Sequence, residues 1–126
     1  MLAIENAALP AFQRFGGNTA YVEGWALYTE SLGPTAGLFT DPYQLYGHYN
    51  DEMLRAMRLV VDTGIQALAY KIGQLTIRRL RTEAEQSLRE DFDPREFHSQ
   101  VLDSGALPLS VLERKIRDWN ASRQPP

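Results

Sequence analysis

Residues 18–34 read NTAYVEGWALYTESLGP: a capping residue, a run with no strand-like alternation, and a Gly–Pro stop. Asn18 can offer its side-chain oxygen to the first free N–H groups of a helix, and Gly33 with Pro34 cannot carry one on. The spacing therefore predicts a helix over about Thr19 to Ser31. Gly24 weakens it by roughly 1 kcal/mol relative to alanine. Glu23 poses the sharper question, because it sits among Tyr21, Val22, Trp25, Ala26 and Tyr28, where an unpaired buried charge is costly.

Outward from this stretch the same punctuation recurs. Asp41–Pro42 is a cap followed by proline at the first helical position, opening a long helix that runs to Gly64 with Leu45, Tyr49, Met53, Ala56 and Val60 as its apolar stripe. A third helix from about Gln66 to Leu88 carries Ala69, Ile72, Leu80, Ala84 and Leu88, with Arg and Glu on its other side. DPRE at 93–96 predicts a capping box for a short helix closing near Gly105, and SVLE at 110–113 predicts another. The Gln124–Pro125–Pro126 end should fray. The expected fold is all-α, a single domain over 1–126 with about five helices in a fragment-like bundle.

Composition narrows the function. The chain has 126 residues, 44% of them apolar and 23% charged, which is enough to bury a core. With a net charge of −3 and one dense basic cluster at Arg78, Arg79 and Arg81, it lacks the electrostatic footprint of a nucleic-acid binder. The absence of cysteine removes disulfides, thiolate zinc sites and a Cys nucleophile together. No window reaches the roughly 18 apolar residues of a membrane span, and no leader is evident. A soluble chain is expected.

Glu30 follows Glu23 by seven residues, so the two carboxylates share one stripe to within about 20°. Either the stripe is solvated and the Trp25 side is core, or the carboxylates face a site. The consecutive glycines Gly16 and Gly17 permit close backbone approach and would suit a crowded site. Arg58 and Asp62, like Asp51 and Arg55, stand four apart, a spacing ordinary for helix support at about 0.2–0.5 kcal/mol per pair.

Four blocks in order, FGGNTAYVEGWALYTESLG, DEMLRAMRLVVDTGI, QALAYKIGQLTIRRLR and FDPREFHSQVLDSGALPLSVLE, resemble the C-terminal portion of the bacterial family known as domain of unknown function 885. Its members resemble helical zinc metallopeptidases of the gluzincin type. There an HExxH helix supplies two histidine ligands and a general base, and a later helix supplies a glutamate. The resemblance implies that Glu23, in the EGWALY block, is the third zinc ligand, with Glu30 or Asp62 orienting ligand histidines from behind. It implies a peptide substrate, with Arg58 available to fork onto a substrate carboxylate. Tyr70 is either a packing tyrosine or, as the resemblance implies, a donor to the developing oxyanion in the same cleft as Glu23.

Departures from the family pattern qualify these expectations. No HExxH is present, and the two histidines, His48 and His98, lie fifty residues apart and read as surface or packing residues. Relative to the family, a histidine and a helical insert are missing between Ile65 and Gln66. The chain alone is therefore expected to bind no zinc tightly and to be inactive. The competing expectation is a non-catalytic helical interaction module, with exposed apolar stripes pairing in a homo-oligomer.

Overall fold

The computed structural model of the protein describes residues 5–61 and 65–123, and the side chains of all of these except 59–61 and 65–67. The helices are α1 (Ala11–Phe15), α2 (Thr19–Ser31), α3 (Pro42–Val61), α4 (Ile65–Leu88), α5 (Pro94–Leu102) and α6 (Leu109–Arg123), with a 3-10 turn at Arg89–Asp91 between α4 and α5. Among the described residues there is no strand. The all-α expectation holds, and the single-turn α1 is an addition to it.

Local capping chemistry sets the starts. Asn18 accepts from the Tyr21 N–H at 3.0 Å, Asp41 from Tyr43 at 2.8 Å, and Asp93 from Arg95 at 2.8 Å with Pro94 at the first helical position. The glutamates of the two predicted capping boxes are both engaged elsewhere. Glu96 is taken by Arg123 at the far end of α6, at 2.5 Å. Glu113 is bonded by Arg79 of α4, and α6 begins at Leu109, one residue before Ser110. In both cases a cross-helix guanidinium, offering a charged partner, outcompetes a local backbone N–H.

The core forms where α2, α5 and α6 pack on α4. Tyr21 and Tyr28 of α2 meet Ile77, Leu80 and Ala84 of α4, with Phe97, Val101, Leu112 and Ile116 closing from α5 and α6. Tyr21 donates its hydroxyl to the Val101 carbonyl at 2.5 Å, tying α2 to α5. Burial, helped by the charge of Asp103, pushes the Tyr21 phenol up to about 12. Leu80, Ala84 and Leu88 are buried as the periodicity predicts, but Ile72 is 52% exposed, because the apolar face of α4 changes direction along its length. Its C-terminal half faces α5 and α6; its N-terminal half leaves Leu68, Ile72 and Leu75 outside.

The crossing of α2 and α4 is made by glycine. A Cβ on Gly73 would lie 1.7 Å from the Ala20 carbonyl oxygen, and one on Gly24 would lie 2.4 Å from the Gly73 Cα. Of the pair Gly16–Gly17, a Cβ on Gly16 would lie 2.1 Å from the Phe12 carbonyl oxygen, whereas nothing stands within 4 Å of one on Gly17; the close approach between helices belongs to Gly24 and Gly73.

Helix α3 departs furthest from expectation. Tyr49 and Met53 of its predicted stripe are exposed, as is Ala56, and the Val60 side chain lies outside the described residues. His48, Glu52 and Arg55 instead turn toward the rest of the chain. The helix is polar inside and apolar outside, an orientation that periodicity by itself cannot assign.

Candidate functional site

Helices α2, α3 and α4 enclose a cleft of about 490 Å³. Helix α2 contributes Glu23, Leu27, Glu30 and Ser31. Across from it α3 presents His48, Glu52, Arg55, Ala56 and Arg58, and α4 lays Tyr70, Lys71 and Gln74 along the floor. Glu23, Glu30, Arg58 and Tyr70, singled out from the sequence, thus line one cleft. Asp62 lies outside the described residues.

The Gly24–Gly73 crossing explains why these side chains converge. It brings α2 and α4 into backbone contact one residue from Glu23 and one from Gln74, so both project over the same hollow. Gln74 is buried and reinforces the junction by donating its amide to the Leu27 carbonyl at 3.1 Å, while its oxygen accepts from Lys71 Nζ at 2.9 Å. Lys71 also lies 3.8 Å from Glu52 of α3. A chain of polar contacts therefore runs from α2 through α4 to α3.

The two carboxylates of α2 have different surroundings. Glu30 Oε1 accepts from Arg55 Nη2 at 2.5 Å and lies 3.7 Å from His48 Nδ1. It holds α3 against α2, and Arg55 serves that contact in place of the expected helical pair with Asp51. Glu23 is half-buried, and no described residue hydrogen-bonds or ion-pairs with its carboxylate.

Both histidines are engaged in packing. His48 is 9% exposed, with its ring 5.1 Å from Phe39 and 5.2 Å from Tyr49. His98 sits outside the cleft: Nε2 is 2.9 Å from the Tyr28 hydroxyl, and the ring meets Trp25 and Phe97 edge-on. Arg81 Nη1 donates to the same Tyr28 oxygen at 3.1 Å, so the hydroxyl hydrogen is assigned toward His98, whose Nε2 accepts. Burial, then the Arg81 charge, lowers the His98 pKa. Burial also raises that of Tyr28, against the opposing pull of Arg81.

In charge the cleft is balanced, with Glu23, Glu30 and Glu52 set against Arg55, Arg58 and Lys71. Among the described residues no three His, Asp or Glu side chains are grouped to hold a metal ion. Sequence reasoning did not anticipate Glu52, Arg55, Lys71 and Gln74 as site residues. The sequence signal for Glu52 and Arg55 was their place on α3 away from its apolar stripe; Lys71 and Gln74 lie on α4.

The chain matches the family described as bacterial protein of unknown function (DUF885) in two stretches, residues 1–67 and 65–116. Among solved structures it is similar to the crystal structure described as that of a "putative lipoprotein" from Colwellia psychrerythraea. The identity is 34% and the TM-score 0.87, over 94% of this chain and 27% of that one. The chain thus spans about a quarter of that protein's length. No curated protein matches it.

Proposed function

The chain belongs to the DUF885 family of bacterial proteins, and from that membership we propose that it is the C-terminal part of a zinc-dependent peptidase. In this reading Glu23 is one metal ligand of a cleft whose remaining ligands lie outside this chain. One observation carries it: Glu23, Glu30, Arg58 and Tyr70 line a single hollow, and among the described residues the Glu23 carboxylate alone of the cleft's three has no partner.

The chain's own residues do not fit a complete zinc site. A catalytic zinc takes three protein ligands and keeps a position open, whereas His48 and His98 are held in packing contacts and no group of three donors exists among the described residues. The reading therefore assigns this chain a share of the site and no activity by itself. Tyr70 would donate a hydrogen bond to the oxygen that gains charge, and Arg58 would engage a substrate carboxylate. Glu30, held by Arg55, positions α3 and its Arg58 across from Glu23. The match in two stretches that meet at 65–67 supports a missing internal segment there. Likeness to a protein described as a lipoprotein favours action outside the cytoplasm.

The test uses a full-length relative that carries an HExxH motif. Changing its glutamate at the position of Glu23 to Gln should abolish both stoichiometric zinc and peptide hydrolysis while leaving the helical fold intact. Retention of metal and activity by the folded variant overturns the reading.

A further inference from the structure

Lys71 is held in the cleft by a side chain that cannot swing away. Gln74, one turn further along α4, is 4% exposed, and its amide nitrogen is committed to the Leu27 carbonyl of α2 at 3.1 Å. Its oxygen is thereby fixed as the acceptor for Lys71 Nζ at 2.9 Å. An ammonium carries three N–H donors. The Gln74 bond uses one, and Glu52 Oε1 of α3 stands 3.8 Å off, beyond hydrogen-bonding range. Among the described residues no acceptor takes the other two. A surface lysine spreads its charge over many rotamers, whereas this one is oriented, with donors to spare, at the wall of a hollow of about 490 Å³. That is a binding group for an anion.

We propose that Lys71 binds the terminal carboxylate of a peptide, so that the cleft takes the C-terminal end of its substrate and not an internal stretch. One ammonium with Glu52 beside it suits a singly charged carboxylate and disfavours a doubly charged phosphate. The hollow lies in the range of pockets that enclose small ligands, about 300–1,000 Å³. Its position identifies which carboxylate is held. Tyr70, to which the peptidase reading gives the oxyanion, precedes Lys71 in the chain, and Gln74 draws the ammonium no further than about one helical turn, ~5.4 Å, along α4. At about 3.3–3.6 Å per extended residue, a carboxylate held there ends the chain a residue or two beyond the cut. Hydrolysis adds water across that amide: the upstream part keeps the new carboxylate, and the short piece held at Lys71 leaves with the new amine. The carboxylate site stands on the Lys71 geometry; that the bound peptide is cut rests on the peptidase reading.

Lys71 and Lys115 are the two lysines of the chain, and Lys115, which donates to the Gln100 carbonyl from α6, does not line the cleft. Amine acylation of this chain, read at each lysine by mass spectrometry, therefore carries its own reference. N-acetyl trialanine with a free C-terminus, at about 10 mM, should slow acylation of Lys71 relative to Lys115 by about twofold or more, and the same peptide as its C-terminal amide should protect far less. Equal protection by acid and amide, protection by neither, or equal protection by an amidated peptide bearing a glutamate side chain overturns the proposal. In a full-length relative with an HExxH motif and a lysine at the position of Lys71, kcat/KM should favour free-acid over amidated peptides by about tenfold or more. Changing that lysine to Met should bring the ratio close to one, and to Arg should restore part of it. A relative that cleaves amides as readily as acids sinks the proposal and leaves the peptidase reading standing. One that cleaves neither sinks that reading, and acylation of this chain still decides the carboxylate site. Should the Met variant fail to fold, the acid-to-amide ratio of the unaltered relative decides the question.

Discussion

Gly24 and Gly73 meet where α2 crosses α4, so closely that a Cβ built on Gly73 would lie 2.8 Å from the Gly24 Cα. Read locally, each glycine is a defect in its helix. Read across the crossing, the pair sets the distance between two helices, and with it the cleft that Glu23, Tyr70 and Gln74 line together.

Gly73→Ala therefore separates local from tertiary energetics. Propensity favours alanine by roughly 1 kcal/mol, but the added methyl meets rigid backbone at Ala20 and Gly24, and such overpacking costs about 1–3 kcal/mol or more. Chemical denaturation should show net destabilisation. A Gly73→Ala chain more stable than wild type would remove the crossing from the account of the fold.

Stability should fall with acidification through His98. Its folded-state pKa lies below the ordinary imidazole value of 6.5, owing to burial and then to Arg81. The unfolded chain consequently takes up the proton first. The stabilising contribution is whole above that value and is lost as pH falls through it toward the folded-state pKa. His98→Gln keeps an acceptor for the Tyr28 hydroxyl without a titrating group. Urea midpoints measured from about pH 7.5 to 5 should decline less steeply for His98→Gln than for wild type; parallel slopes would assign the acid loss to other groups.

Zinc added to this chain alone should bind no tighter than micromolar, since one available carboxylate cannot replace three ligands. Titration of metal-free protein with elemental analysis checks this. Stoichiometric sub-micromolar binding that vanishes on Glu23→Gln would instead point to a site shared between copies or rearranged.

In a full-length relative with the metal motif, changing the tyrosine at the position of Tyr70 to Phe should lower turnover by about 10²-fold or more, the typical loss for an oxyanion donor. Zinc content and melting temperature should stay nearly constant. Full activity in that variant, or activity lost only through unfolding, would make the tyrosine a packing residue.

What the sequence by itself determined is what near neighbours decide. Helix starts at Asn18, Asp41 and Asp93 are contacts between residues two or three apart, and such contacts form in any environment that permits a helix. The α2 carboxylates share a face because of helical geometry alone, and the four motif blocks drew attention to Glu23, Glu30, Arg58 and Tyr70, four of the residues that line the cleft. Only the tertiary structure decided which face of each helix is covered. Periodicity in α3 was compatible with burial of the Tyr49–Met53 side, yet the cleft took His48, Glu52 and Arg55, because Glu30 lies across from them. Arg55 chose Glu30, twenty-five residues away, over Asp51 one turn back, and Glu96 and Glu113 chose guanidiniums of other helices over their own caps. A charged partner brought near by packing outweighs a local one, and that nearness depends on the whole chain. The Gly24–Gly73 contact joins residues forty-nine apart, so its role could not be read from either glycine's neighbours.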